Sequence, residues 1–99
     1  MTFEWDENKA AENERKHEGV TFKEAIETFL DTNAVEDYDE EHSDISETRY
    51  VRIGNSSKRL LRISFTVRAA DAPDKEIIRI ISARKGKTKE EKVYYEQNR

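Results

Sequence analysis

Four arginines interrupt two apolar stretches of this 99-residue chain. Arg62 and Arg68 lie in "RLLRISFTVR" (residues 59–68), and Arg79 and Arg84 lie in "IIRIISARKG" (residues 77–86). A guanidinium buried without a partner is costly. Each of these side chains must therefore face water or meet an anion. Arginine stays charged and offers a rigid fork of donors that matches phosphate, so the chemistry in view is phosphate contact. Pairing with the chain's own 22 acidic residues is the competing use of the same side chains. The two histidines, His17 and His42, are the residues whose type suits proton transfer near neutral pH. No cysteine is present, so a disulfide and a thiolate metal site are both excluded. Glu40, Glu41, His42 and Asp44 are rich in oxygen but lack a recognised ligand spacing. Neither a metal nor a cofactor is expected.

Charge is distributed unevenly. Residues 1–47 hold 4 Lys/Arg against 16 Asp/Glu, a balance of −12, while residues 48–99 hold 14 against 6, a balance of +8. The net charge of −4 thus hides a basic half that could meet nucleic acid, or that the acidic half neutralises within the fold. The length suits one small domain over residues 1–99. No apolar run spans a membrane and no signal-peptide pattern opens the chain, so a soluble cytoplasmic protein is expected.

Several elements must position these residues. Asp6 reads as the N-cap of a polar helix running to about His17, with Gly19 as its stop. Thr21-Phe22-Lys23-Glu24 reads as a capping box opening a second helix. Its stripe of Phe22, Ala25, Ile26, Phe29 and Leu30 faces a core. Val35 and Tyr38 permit a short edge strand before an acidic loop. Residues 48–54, 59–68 and 77–84 read as strands. "GNSSKR" turns the first into the second, and residues 69–76 hold the only proline in the next turn. Thr88-Lys89-Glu90-Glu91 reads as a second capping box, opening a C-terminal helix. The expected class is α+β: two N-terminal helices, an antiparallel sheet of three or four strands, and a C-terminal helix.

Alternation assigns the faces. Leu61, Ile63, Phe65 and Val67 share one face, which should bury against the helices. Arg62, Ser64, Thr66 and Arg68 share the other. If Ile78 and Ile80 join the core, Arg79 falls on the open face. Arg84 has core-side parity, but it ends its strand, where twist and the following turn can re-aim it. Three arginines would then gather on one surface.

The motifs "FEWDENKAAENERKH" (residues 3–17), "GVTFKEA" (19–25), "ETRYVRIG" (47–54), "RLLRISFTVR" and "RIISARKGKTKEE" (79–91) together resemble the BrnT family, toxins of bacterial type II toxin–antitoxin pairs. The family reads Lys-His-Gly without a break, whereas here Glu18 separates His17 from Gly19. The resemblance implies a RelE-like ribonuclease fold and RNA cleavage that slows translation and arrests growth. It also implies neutralisation by a BrnA-type ribbon-helix-helix antitoxin, through which alone the complex would reach operator DNA. Metal-free RNA cleavage by the adjacent 2′-hydroxyl needs a base, cations for the phosphorane and an acid for the 5′-oxygen. Arg62, Arg68, Arg79 and Arg84 are the candidates for charge stabilisation, and His17 is a candidate base. A tyrosine on the C-terminal helix, Tyr94 or Tyr95, fits the RelE-like pattern. Lys9, Lys16, Lys85 and Lys87 are candidates for RNA contact. Trp5 is a candidate for stacking a base, and the competing readings are a helix-capping role for His17, solvated faces for the lysines and a core role for Trp5. A non-catalytic module that grips nucleic acid or an acidic partner remains the alternative function.

Overall fold

The computed structural model describes residues 1–69 and 75–99, so the turn expected over residues 69–76 falls largely outside the described residues. The chain opens with strand β1 (Thr2–Glu4) and helix α1 (Glu7–Lys16). Asp6 caps α1 through Oδ1, which accepts from the N–H groups of Asn8 at 2.9 Å and Lys9 at 3.0 Å. The helix closes with the Gly19 N–H on the Glu14 carbonyl at 2.9 Å, and Glu18 and Gly19 both take left-handed backbone, φ +53° and +76°. Glu18 thus occupies the left-handed position after a helix where glycine is usual.

Helix α2 (Phe22–Glu27) starts as expected, with Thr21 Oγ1 accepting from the Glu24 N–H at 3.0 Å. The reciprocal half of the capping box is absent. The Glu24 carboxylate turns instead to Arg59, at 2.9 and 3.1 Å, and to the Ser56 hydroxyl at 2.7 Å. The helix tightens into a 3₁₀ turn at Thr28–Leu30. Three residues per turn rotate Leu30 out of the expected stripe, and it is 83% exposed.

Strands β2 (Val35–Tyr38), β3 (Arg49–Asn55), β4 (Leu60–Ala69) and β5 (Glu76–Lys85) follow, and then helix α3 (Thr88–Gln97). The sheet has five strands in the order β1-β5-β4-β3-β2. All pairings are antiparallel except β1 with β5, which is parallel. The class is α+β, but two expectations need correction: the sheet is mixed and five-stranded, and a strand precedes the first helix. Phe3-Glu4-Trp5 reads from the sequence as a short extended entry, but so short a segment gives no sign of its place in the sheet, because its partner lies more than seventy residues away. The second predicted capping box is also shifted by one residue. Lys87 is the N-cap of α3, and the Glu90 carboxylate accepts from its N–H at 2.9 Å.

The core lies between the sheet and the α1–α2 side. Val20, Phe22 and Ala25 pack against Leu61, Ile63, Phe65, Ile78, Ile80 and Ala83. Each large apolar side chain buried there contributes about 1.5–3 kcal/mol. Phe29 sets its ring edge-on to Phe3 (5.1 Å) and to Phe65 (5.2 Å), joining β1 and β4 to the 3₁₀ turn. Trp5 stands edge-on to Phe22 at 6.1 Å, on the core side. Val67 departs from the expected burial of its face of β4, being 37% exposed. Among the described residues, no helix is long and apolar enough to cross a membrane.

Candidate functional site

Five of the side chains singled out in the sequence meet in one place. The C-terminal end of α1 supplies Lys16 and His17, while the end of β5 and the turn into α3 supply Arg84, Lys85 and Lys87. They line an open groove of about 440 Å³, with Glu18, Gly86, Thr88 and Glu91 completing its wall. Lys9 lines a neighbouring depression that shares Lys16 and His17.

Asn13 holds the two sides of this groove together. It is buried in α1, and its Nδ2 donates to the Ala83 carbonyl at 2.8 Å and to the Val20 carbonyl at 3.0 Å. Its Oδ1 accepts from the Ala83 N–H at 3.1 Å. β1 pairs only with Ile77, Ile78 and Arg79 of β5, so the carboxamide stands where a neighbouring strand would otherwise satisfy Ala83. The same side chain thus fixes β5 next to Arg84 and the end of α1 next to His17. The His17 N–H donates to the Asn13 carbonyl at 2.9 Å, and the His17 carbonyl accepts from the Val20 N–H at 3.0 Å.

Arg84 reaches the open face through a β-bulge. Ser64 faces Ser82, but Phe65 faces Ile80, so Ile81 has no opposite number on β4. The extra residue reverses the parity of everything after it. Ile78 and Ile80 stay in the core, Ala83 joins them, and Ser82 and Arg84 turn to the side of Arg62 and Ser64. Strict alternation gave Arg84 the core side, and the bulge is why it failed.

Glu90 orients Arg84. Arg84 Nη1 donates to Glu90 Oε1 at 2.7 Å and to the Lys85 carbonyl at 3.1 Å. Its Nε and Nη2 have no partner among the described residues. Burial pushes the Glu90 pKa up, but the bonds from Arg84 and the Lys87 N–H outweigh it and hold the carboxyl below the usual range. Glu90 is therefore an anion at neutral pH, and Arg84 is steered rather than used up.

The other arginines do not all join this group. Arg68 makes two bonds of 3.1 Å to the Glu4 carboxylate, and Arg79 lies 3.6 Å from the same group. Those bonds, the one from Arg68 foremost, hold the Glu4 pKa below its usual value. Arg79 faces Thr66 and Arg84 faces Arg62, so about 13 Å of strand separates the two groups. The single gathering of three arginines is thus two gatherings, one at each end of the open face. Arg62 makes no ion pair among the described residues.

Tyr94 turns away from the groove. It is 6% exposed, and its hydroxyl donates to Asp31 Oδ2 at 2.9 Å. Burial and that carboxylate raise its pKa. Tyr95 is 62% exposed and meets Tyr94 edge-on at 5.3 Å. His42 lies in the acidic loop, its Nδ1 2.9 Å from Asp39 Oδ2.

Sequence reasoning passed over Asn13, Ile81 and Glu90 as individuals. Asn13 had a signal, because an asparagine inside a helix and away from its cap needs a reason. A bulge residue that follows an identical Ile80 gives none.

A family model described as "Ribonuclease toxin, BrnT, of type II toxin-antitoxin system" matches residues 5–90. No curated protein matches the chain.

Proposed function

The chain belongs to the BrnT family, the ribonuclease toxins of type II toxin–antitoxin systems, and from that premise we propose that it cuts RNA without metal in the groove between α1 and the β5–α3 turn. The observation that carries this reading is the convergence of His17, Arg84, Lys85 and Lys87 on one groove. A ribonucleotide phosphate seated there meets Nε and Nη2 of Arg84, the lysine ammonium groups and an imidazole. His17 accepts the proton of the adjacent 2′-hydroxyl, and the 2′-oxygen bonds to phosphorus. Arg84 and Lys87 stabilise the charge that builds on the phosphorane oxygens. The bond to the 5′-oxygen then breaks, and water entering the open groove protonates that oxygen. The products are a 2′,3′-cyclic phosphate and a 5′-hydroxyl. Cleavage inhibits translation in the cytoplasm until a BrnA-type ribbon-helix-helix antitoxin covers the toxin. Tyr94 has no part in the chemistry, because its hydroxyl is already bound to Asp31.

The test is direct. Antitoxin-free protein is incubated with RNA in EDTA, and the ends are mapped for cyclic phosphate. His17→Ala should keep its melting temperature and lose most of the cleavage. Failure of the folded wild-type chain to cut any RNA sinks the enzyme reading, and retained RNA binding in that case makes it a binding module.

A further inference from the structure

A second groove, of about 370 Å³, lies on the other side of Arg84, between α3 and the open face of β2, β3 and β4. Its floor is apolar, formed by Val51 and Ile53 of β3 with Val93 of α3. Its walls carry Arg62 and Lys89 on one side and Asp37 on the other. None of these three charges makes an ion pair among the described residues. Two further carboxylates border the groove, and both are engaged. Asp39 is bound through both oxygens to His42, and Glu90 holds Arg84. Asp37 is the one of the three that bonds no side chain among the described residues: only its Oδ1 is used, by the Tyr38 N–H at 2.8 Å.

We infer that this groove is a nucleobase subsite that reads guanine next to the scissile phosphate, an inference that rests on the ribonuclease reading above. Asp37 has nothing to offer a phosphate. The same carboxylate is useful if the ligand presents donors there and anions elsewhere. A nucleotide does both. Its base lies on the Val51, Ile53 and Val93 floor, its phosphate meets Arg62 and Arg84, and its Watson–Crick edge meets Asp37. Guanine offers two adjacent donors, N1–H and the 2-amino group, to the two carboxylate oxygens. Adenine and cytosine offer one amino group each, and uracil flanks its single N–H with two carbonyls that the carboxylate repels. Arg84 borders both grooves, so a base held here sets the phosphate at the end of the His17 groove.

Two measurements decide the matter. The first maps cut sites on an RNA carrying every dinucleotide step, for wild type and Asp37→Asn. The expected result is cleavage concentrated beside guanosine, with a guanosine-to-adenosine ratio that drops on the order of tenfold in the variant. Cleavage without base preference, or a preference that Asp37→Asn leaves in place, overturns the subsite while leaving the ribonuclease reading intact. The second titrates guanosine 3′-monophosphate and adenosine 3′-monophosphate into both proteins and needs no catalysis. Tighter guanosine binding that Asp37→Asn abolishes supports the subsite even if the chain cuts nothing. Equal binding of the two nucleotides overturns it.

Discussion

Arg62 and Arg84 stand directly opposite each other on β4 and β5. Like charges placed so are unfavourable unless an anion answers them. Glu90, reaching over from the first turn of α3, is that anion, and its side chain is only 7% exposed. The capping of α3, the ionisation of Glu90 and the aim of Arg84 are one arrangement.

That arrangement separates stability from activity at Arg84. Arg84→Ala leaves the Glu90 carboxylate with only the Lys87 N–H as partner, and should cost about 1–3 kcal/mol in urea or thermal unfolding. Adding Glu90→Gln removes the stranded charge and should recover part of that loss. Cleavage should stay lost in both proteins. Recovery of cleavage in the double variant would show that Arg84 acts only through Glu90.

Asn13 makes three bonds to main-chain groups of Val20 and Ala83. Asn13→Ala should destabilise by about 2–4 kcal/mol, since it strands buried groups of both kinds. Asn13→Asp should be worse at neutral pH, because an ionised carboxylate cannot donate and would face two carbonyl oxygens. The gap between the variants should close as the pH falls and the new carboxyl protonates. A gap that stays constant down to acid pH would show that Asn13 does not donate to these carbonyls.

Glu18 stands with φ +53° in the break between His17 and Gly19. A side chain there costs about 1 kcal/mol that glycine avoids. Glu18→Gly should raise the melting temperature by about 4–8 °C, measured by circular dichroism. An unchanged or lower melting temperature would mean that the Glu18 side chain makes up for its backbone.

How far the sequence speaks depends on what each feature needs. The alternation of β4 and the Thr21 cap are local, and both were legible. So was the collection of basic residues near residue 85, because the turn after β5 is short. The face of Arg84 was not legible, since it depends on the bulge at Ile81, set by how two strands fit. The Glu4 partnership of Arg68 and Arg79 was hidden too. It exists only because β1 pairs in parallel beside β5, a contact that leaves no local pattern. For the same reason Tyr94 could not be told from Tyr95 until α3 was seen to dock through Asp31.

Glu24, at 6% side-chain exposure, is held by Arg59 and Ser56. Burial pushes its pKa up, but those bonds prevail and hold it below its ordinary 4.5. A lowered native pKa makes the unfolded chain the stronger proton binder. The stabilisation is therefore present above the ordinary value and is lost as the pH falls through the native one. Glu90 and Asp31 are shifted in the same direction. The melting temperature should hold steady from neutral pH to about 5 and fall below it. Glu24→Gln should start lower and fall less steeply, and a parallel acid limb would exclude Glu24 as a contributor.

The two arginine groups make a last contrast testable. Arg79 shares Glu4 with Arg68 at the far end of the open face, about 13 Å along the strand from Arg84. At that distance it can hold a neighbouring backbone phosphate but not the one that reacts. Arg84→Ala should therefore lower kcat by about 10²–10³, the usual cost of losing one transition-state donor. Arg79→Ala should leave kcat within a few-fold. Its effect should appear in KM and in salt dependence, where one lost phosphate contact reduces the slope of log K against log salt by about 0.7. Equal losses of kcat at the two positions would place the reacting phosphate between the groups, in the middle of the sheet, and move the site away from His17.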